Sequence, residues 1–220
     1  MAKLLMLFGL LFVACGDVNG SWSLKSSTSD GDSSSSDAIS SNSVCLDMNF
    51  VDWQTPPSPP YFYGLTEITL SAYLISANII TQGQYKAIMG ENPSKGEKND
   101  MFPVDGVTWR KAVEFCEKLS EQMCLSSDAI KLPTEAQWVY ATEAMRIRDG
   151  YWEWTNDCHG TFPASQYDPS PVDCIGDFAR VVKGTLDPDY RAGIPPNWDD
   201  MGIGGGYIGF RVAVKNSFLN

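Results

Sequence analysis

The chain has 220 residues, with 27 acidic against 16 basic side chains and a formal net charge of −11 at pH 7. This acidic balance, without a basic stripe anywhere in the sequence, argues against nucleic acid as a partner. The first 44 residues differ in composition from the rest. That leaves roughly 175 residues, enough for one domain with a sizeable core.

The N-terminus has the pattern of an export signal with a lipid attachment site. An apolar run, Leu4–Ala14, follows Lys3 and is too short to span a bilayer, so it fits a secretory signal. The run ends at Val13-Ala14-Cys15, which resembles a bacterial lipobox in which the sulfur of Cys15 is acylated. The alternative is an ordinary signal peptide with an incidental cysteine. Each buried CH₂ of an acyl chain contributes about 0.8 kcal/mol, so several chains on Cys15 would attach the protein stably to a membrane.

A serine-rich stretch follows the apolar run. Residues 21–43 contain twelve serines and three aspartates but few aliphatic or aromatic side chains. Such a stretch cannot bury enough apolar surface to offset the entropy lost on ordering, so it is predicted to be a flexible tether. We therefore divide the chain into a lipoprotein signal peptide (1–14), a lipidated cysteine with its tether (15–44) and a folded domain (45–220).

The first half of the predicted domain passes from strands to helices. Residues 46–74 have a strand-like pattern interrupted by a proline-rich turn. Thr81 is a suitable N-cap and Gly90 a suitable C-terminal glycine for a first helix. Thr108 caps a second helix, which has an apolar face at helical spacing. That face consists of Ala112, Phe115, Cys116 and Leu119.

A third helix and a strand-rich region complete the predicted domain. Thr134 and Gln137 form a capping-box pattern that opens a helix reaching to about Arg146. Short strands and long loops follow and end in a predicted strand, Ile208–Val214. Helices in the first half and strands with loops in the second indicate the α+β class.

Four short segments of the domain stand out in order along the chain. They are Ile80–Gly90, Phe102–Leu119, Lys131–Trp138 and Gly209–Ala213. Together they resemble the formylglycine-generating enzyme, or sulfatase-modifying factor, family. The resemblance implies a single domain of the C-type-lectin-like fold and raises the question of whether this chain performs the family's chemistry.

The catalytic residues that the resemblance implies are missing. The family's enzymes use two cysteines that hold a copper ion just before the Gly-Phe-Arg-Val segment. Residues 184–208 contain no cysteine, and Met201 alone does not supply the soft ligands that Cu(I) requires. We therefore predict no catalytic residues and no formylglycine formation. An enzyme or accessory protein of the sulfatase-modifying type stays open as the alternative.

The calcium site that the resemblance implies is also altered. In the family it involves a Trp-Glu-Trp segment after an asparagine, whereas Trp152-Glu153-Trp154 follows Gly150-Tyr151 here. We predict that both tryptophans pack in the core. Glu153 and Asp157 are weak candidates for a hard cation such as calcium. No cofactor is otherwise predicted.

Five cysteines remain besides Cys15, and export would permit disulfides among them. Cys116, on the apolar helix face, is predicted to be a buried free thiol. Cys158 and Cys174 flank one loop and could close it, and Cys45 with Cys124 is a second possible pair. The single histidine, His159, has no second histidine with which to hold zinc, so no role is predicted for it.

The segment 187–207 has an unusual composition for a core. It combines Tyr, Trp and Arg, which give large contact areas at low entropy cost, with prolines and glycines. In C-type-lectin-like folds, the resemblance implies, this region is the exposed ligand surface. The layout of lipobox, tether, domain and aromatic-rich segment also resembles variable surface lipoproteins diversified by retroelements. The predicted ligand-binding residues are Asp187, Asp189, Tyr190, Arg191, Ile194, Asn197, Trp198, Asp199, Asp200, Met201 and Tyr207.

We therefore predict a non-catalytic lipoprotein of the bacterial cell envelope. A lipid anchor would hold it in the membrane, on the outer-membrane surface, and the exposed segment 187–207 would bind a protein or glycan ligand. Nucleic acid is not a predicted partner.

The lipobox interpretation predicts that Cys15→Ser leaves the precursor uncleaved and unlipidated, because the thiolate of Cys15 is the acylated atom. Detergent-phase partitioning and the mass of the mature protein measure this. Normal partitioning of the variant into the detergent phase would contradict it.

Overall fold

The computed structural model describes residues 45–56, 61–63, 66–145, 150–160, 179–184, 187–196 and 208–215, with the backbone alone at 48, 61–63, 66–67 and 187–191. These residues all fall within one compact unit, Ser43–Asn220. Among them, no helix is long and apolar enough to cross a membrane.

The described residues form short strands and three α-helices, which confirms the predicted α+β class. In chain order the elements are a 3-10 turn Met48–Phe50, β1 (Trp53–Gln54), β2 (Tyr61–Tyr63), β3 (Thr66–Ile68), β4 (Tyr73–Ser76), α1 (Gln82–Met89), α2 (Trp109–Gln122), β5 (Ile130–Lys131), α3 (Glu135–Ala144), β6 (Trp152–Cys158), β7 (Arg180–Gly184), β8 (Asp187–Ile194), β9 (Ile208–Phe210) and β10 (Ala213–Lys215).

Two four-stranded sheets carry the fold. The first has the order β1-β4-β10-β5 and is antiparallel, and the second has the order β8-β7-β6-β9. In the second sheet β9 runs parallel to β6, whereas β7 is antiparallel to both β6 and β8. β2 and β3 form a separate antiparallel hairpin.

The helices begin where their N-cap residues predict. At α1, the Thr81 hydroxyl accepts a hydrogen bond from the Gln84 backbone N–H, and the Gln84 side chain accepts one from the Thr81 N–H. Thr134 and Gln137 form the same reciprocal pair at α3. Each cap satisfies amides that would otherwise lack partners and contributes about 1 kcal/mol. Both capping boxes confirm the sequence prediction.

Helix α2 begins after its predicted cap, Thr108, and α3 ends close to its predicted end at about Arg146. The last residue of α3 is Ala144, and the predicted end, Arg146, lies outside the described residues. The Met145 N–H is shared between the carbonyls of Ala141 and Glu143, which tightens the final turn at this point.

The predicted strand Ile208–Val214 is two strands, and the prediction of a continuous strand was wrong. β9 pairs with β6 in the second sheet, whereas β10 pairs with β4 and β5 in the first. Arg211 and Val212 lie between them, where the chain crosses from one sheet to the other. An alternating apolar pattern is the same for one strand as for two collinear ones, so it did not reveal the crossing.

The core lies between the helices and the two sheets. Tyr85, Phe115 and Phe210 form an aromatic cluster, with the first two rings stacked at 5.6 Å and Phe210 edge-on to both. Trp138 and Trp154 are fully buried, and Trp152 packs partly buried against the same core. The core prediction for the Trp-Glu-Trp segment is therefore confirmed.

The described cysteines agree with the sequence predictions. Cys45 and Cys124 form a disulfide that ties the start of the domain to the end of α2. Cys116 is a buried free thiol, and burial raises its pKa. Cys158 is disulfide-bonded, and Cys174, the partner predicted for it, lies outside the described residues.

Candidate functional site

The predicted ligand-binding segment begins as a strand, not as a loop. Its first eight residues form β8, whose register with β7 runs from Arg180↔Ile194 to Gly184↔Asp187. Ile194 is 4% exposed and packs in the main core cluster, so its predicted role in ligand contact is wrong. The segment differs from the prediction because β8 pairs with β7 along its length, and composition alone does not reveal such pairing.

The remaining predicted binding residues divide between β8 and positions outside the described ranges. Asp187, Asp189, Tyr190 and Arg191 lie on β8, where the backbone alone is described. The rest lie outside the described residues: Asn197, Trp198, Asp199, Asp200, Met201 and Tyr207.

Both ends of the segment Asn197–Tyr207 adjoin buried, hydrogen-bonded chain. On one side Pro196 is buried, and its carbonyl accepts a hydrogen bond from the Arg110 backbone N–H at 3.4 Å. On the other side Ile208 is 3% exposed and pairs with Trp152 of β6. The two anchoring strands, β8 and β9, lie at opposite edges of one sheet.

Gly209 fixes how closely β9 can approach the rest of the core. A Cβ at this position would lie 2.8 Å from Ile79 Cγ2 and 3.0 Å from the Val104 carbonyl oxygen. Only a residue without a side chain allows that approach. The Phe210 carbonyl, next to it, accepts a hydrogen bond from the Ile80 N–H at 3.0 Å. The first position of the Gly-Phe-Arg-Val segment therefore requires glycine.

Arg211 is fully buried and contacts both sheets. Its Nε lies 3.1 Å from the Glu153 carboxylate on β6. Its Nη1 donates to the carbonyls of Ser76, at 3.3 Å, and Ala77, which lie at the end of β4. Because the guanidinium presents five donors in a fixed plane, it can serve both sheets at once.

A second buried ion pair joins α3 to the second sheet, through β7. Lys183 Nζ lies 3.4 Å from Glu135 Oε1, and both side chains are fully buried. Glu153 and Lys183 are register partners on β6 and β7, so two acidic and two basic groups share this part of the core. Removing an ion from water costs several kcal/mol, so each of these charges depends on its partners.

The two weak cation candidates are occupied by protein groups. The Glu153 carboxylate contacts Arg211, and Asp157 Oδ2 accepts a hydrogen bond from the Glu135 backbone N–H at 2.6 Å. Within the described ranges, no group of three or more His, Cys, Asp and Glu residues is placed to share a metal ion.

The copper site that the family resemblance implies does not fit the described cysteines. Cys45, Cys124 and Cys158 are disulfide-bonded. Cys116 is buried, and its raised pKa keeps the thiol protonated, whereas a metal requires the thiolate. None of these residues therefore offers the thiolate pair that Cu(I) would need.

His159 packs against the edge strand. Its exposed ring covers Gly193 of β8 so closely that a Cβ there would collide with it. The backbone N–H of His159 donates to the Ala179 carbonyl at 2.7 Å. Its neighbour Cys158 is consumed in a disulfide, so the two do not form a nucleophile–base pair.

Trp109 and Arg180 form a contact that the sequence analysis missed. The Arg180 guanidinium carbon lies 3.7 Å from the centre of the Trp109 ring, a cation–π geometry. Burial lowers the pKa of Arg180, nearby Arg110 lowers it further, and the Asp157 carboxylate opposes both effects. The Trp109 indole N–H donates to the Thr155 carbonyl at 2.9 Å. The predicted cap at Thr108 could have pointed to Trp109, since it places Trp109 at the first position of α2.

Three comparisons identify what the chain resembles. Residues 53–151 match the family described as "Sulfatase-modifying factor enzyme 1-like domain". Chaperone protein LppX of Paenibacillus barcinonensis is 41% identical over 58 residues, which is 26% of this chain and 20% of that protein. The chain thus matches about a fifth of the length of this relative.

Solved structures share the fold at low sequence identity, each over 75% of this chain. Variable protein 1 of Treponema denticola has a TM-score of 0.54 at 19% identity, over 94% of its own chain. PvdO from Pseudomonas aeruginosa has a TM-score of 0.57 at 14% identity over 92% of its chain, and CarF 0.54 at 14% over 98%. The fold inferred from the sequence is confirmed, and the match to the family inferred from the sequence covers residues 53–151.

The buried charges generate a stability prediction. Arg211→Met removes the cation that contacts the buried Glu153 carboxylate, so we expect the free energy of unfolding to fall by about 3–5 kcal/mol. Urea unfolding measures this. Combining it with Glu153→Met should recover much of the loss, because both charges are then absent.

Lys118→Met is the matched control, because it removes a cation from the exposed Lys118–Glu114 pair on α2. Exposed pairs contribute little, so its unfolding midpoint should stay near that of the wild type. Equal destabilisation by Arg211→Met and Lys118→Met would contradict the role given to Arg211.

Proposed function

We propose that this protein, which carries a domain of the sulfatase-modifying factor family, is a non-catalytic ligand-binding lipoprotein of the bacterial surface. Its ligand is a protein or glycan bound by residues 187–207, as in variable proteins diversified by retroelements. The observation that supports this most is the anchoring of Asn197–Tyr207 between two fixed strands. Such an arrangement lets a scaffold carry a recognition segment.

The anchors lie at opposite edges and opposite ends of the second sheet, because Ile194 pairs with Arg180 whereas Ile208 is level, through Trp152, with Gly184. β8 and β9 are separated by β7 and β6. At about 4.8 Å per strand across the sheet and about 3.3 Å per residue along it, Ile194 and Ile208 are about 20 Å apart. The connection 197–207 has eleven residues, more than this distance needs. The surplus length allows the segment to project from the sheet as a binding surface.

The composition of the segment suits recognition. Tyr190, Trp198 and Tyr207 provide large amphipathic side chains, and glycines and prolines separate them. Asp199 and Asp200 lie next to Trp198 and favour a basic or hydroxyl-rich partner. An electrostatic contribution of this kind would make the association rate fall as salt rises.

Variable protein 1 of Treponema denticola shares the fold of this chain, and its name describes it as a variable protein. Both points support the proposal. The envelope location rests on the lipobox-like Val13-Ala14-Cys15 and the serine-rich tether. A lipid anchor followed by a long tether would hold the domain away from the membrane, where an exposed segment can reach its ligand.

Trp198 and Trp138 provide the test of this function. Trp138 is fully buried, so Trp138→Ala should cost about 3–5 kcal/mol of stability. If Trp198 belongs to a binding surface, Trp198→Ala should shift the melting temperature far less and should weaken ligand binding by about 2 kcal/mol or more. Thermal unfolding of the two variants needs no ligand and comes first. Equal destabilisation would place Trp198 in the core and remove the main support for this function.

The alternative is an enzyme or accessory protein that generates formylglycine, which the name of the matching family favours. We expect no such activity, with or without added copper, because residues 184–208 contain no cysteine. An aerobic assay on a sulfatase-motif peptide, read as the mass of the peptide cysteine, measures this. Conversion above that of a heat-inactivated control would establish the alternative.

A further inference from the structure

A groove follows strand β5, and none of its described lining residues belongs to the segment 187–207. Two adjoining cavities, of about 300 and 240 Å³, share four lining residues and so form one depression, which we call the β5 groove. The size falls in the lower range of small-ligand sites. The shared residues are Asp128, Lys131, Leu132 and Asn156.

The walls of the β5 groove carry apolar and polar groups in a balanced arrangement. Trp109 and Val113 line one end with apolar surface, and Ser127 and Gln137 are among the polar groups along it. Among the described residues, its charged lining groups are two acids and two bases. They are Glu117, Asp128, Lys131 and Lys215. This balance favours a neutral ligand with many hydrogen-bonding groups over an ion.

Asn156 lies in both cavities, and its side chain is available to a ligand. Its backbone is fully used, since its N–H donates to the Pro133 carbonyl at 2.9 Å and its carbonyl accepts from Arg180 Nη1 at 3.5 Å. Its side-chain amide has no hydrogen-bond partner among the described residues. An amide offers a donor and an acceptor side by side, which matches neighbouring hydroxyl groups.

Trp109 provides a fixed apolar wall next to this amide. Its indole N–H is held by the Thr155 carbonyl at 2.9 Å, and the Arg180 guanidinium lies over the ring at 3.7 Å. A side chain held on two sides loses little entropy when a ligand binds against it. A rigid aromatic wall beside an amide suits a ring that has an apolar face and polar edges.

We infer that the β5 groove binds a neutral, hydroxyl-rich ligand, namely an oligosaccharide. The sugar ring packs against Trp109, and its hydroxyl groups bond the Asn156 amide and the adjacent polar side chains. This inference does not depend on the proposed function, because the described residues that line the groove lie outside 187–207.

An array of neutral and charged oligosaccharides, probed with the full-length protein in detergent, tests the inference. We expect at least one neutral oligosaccharide to bind. In calorimetric titration of that sugar, Asn156→Ala should raise Kd at least tenfold without changing the melting temperature, since its backbone hydrogen bonds remain. Asn49→Ala, at an exposed asparagine outside the groove, is the matched control and should leave Kd unchanged.

Three outcomes would overturn the inference. They are the absence of any bound neutral oligosaccharide, unchanged affinity in Asn156→Ala, and binding of neutral acetylated peptides in place of sugars. Trp198→Ala separates this site from the segment 187–207. Loss of sugar binding in Trp198→Ala but not in Asn156→Ala would assign the sugar to that segment and remove it from the groove.

Discussion

The bridge from Arg211 to both sheets is the interaction on which the rest of the structure depends. The chain leaves the second sheet after Phe210 and enters the first at Ala213, and Arg211 lies at this crossing. Its guanidinium is fully buried, and Glu153 and two carbonyls at the end of β4 stabilise it by meeting its donors. Ser76 completes the junction, since its N–H donates to the Val212 carbonyl and its hydroxyl accepts from the Val212 N–H.

Buried charge also fixes the register of the second sheet. Side chains alternate between the two faces of a strand, so a slip of one residue would turn Glu153 and Lys183 away from their partners. Removing one partner of a buried pair costs about 3–5 kcal/mol, far more than a typical surface contact contributes. The ion pairs are therefore better explained as devices that select one register than as sources of net stability. The selected register sets where β8 ends and where β9 begins.

The sequence predicted the local features of the fold and the Cys45–Cys124 disulfide, but it missed the strand pairings between distant parts of the chain. Thr81 and Thr134 with their glutamines determine helix starts through bonds that span three residues, and such signals are visible in a short window. The break at Arg211 and the pairing of β8 with β7 arise from partners far along the chain, so no local pattern specifies them. The same holds for the candidate sites. Trp109 and Asn156 are 47 positions apart and meet only because β6 passes the start of α2.

The contacts described between the elements of the scaffold connect residues outside Asn197–Tyr207. Arg211 contacts β6 and the end of β4, Lys183 contacts α3, and Gly209 contacts the chain on either side of α1. Replacing residues between Pro196 and Ile208 would remove none of these contacts. Changes of sequence between the two anchors would therefore leave these particular contacts in place. A binding function that requires varied ligand contacts on a constant frame depends on this separation, and the buried charges at the crossing of the two sheets provide it.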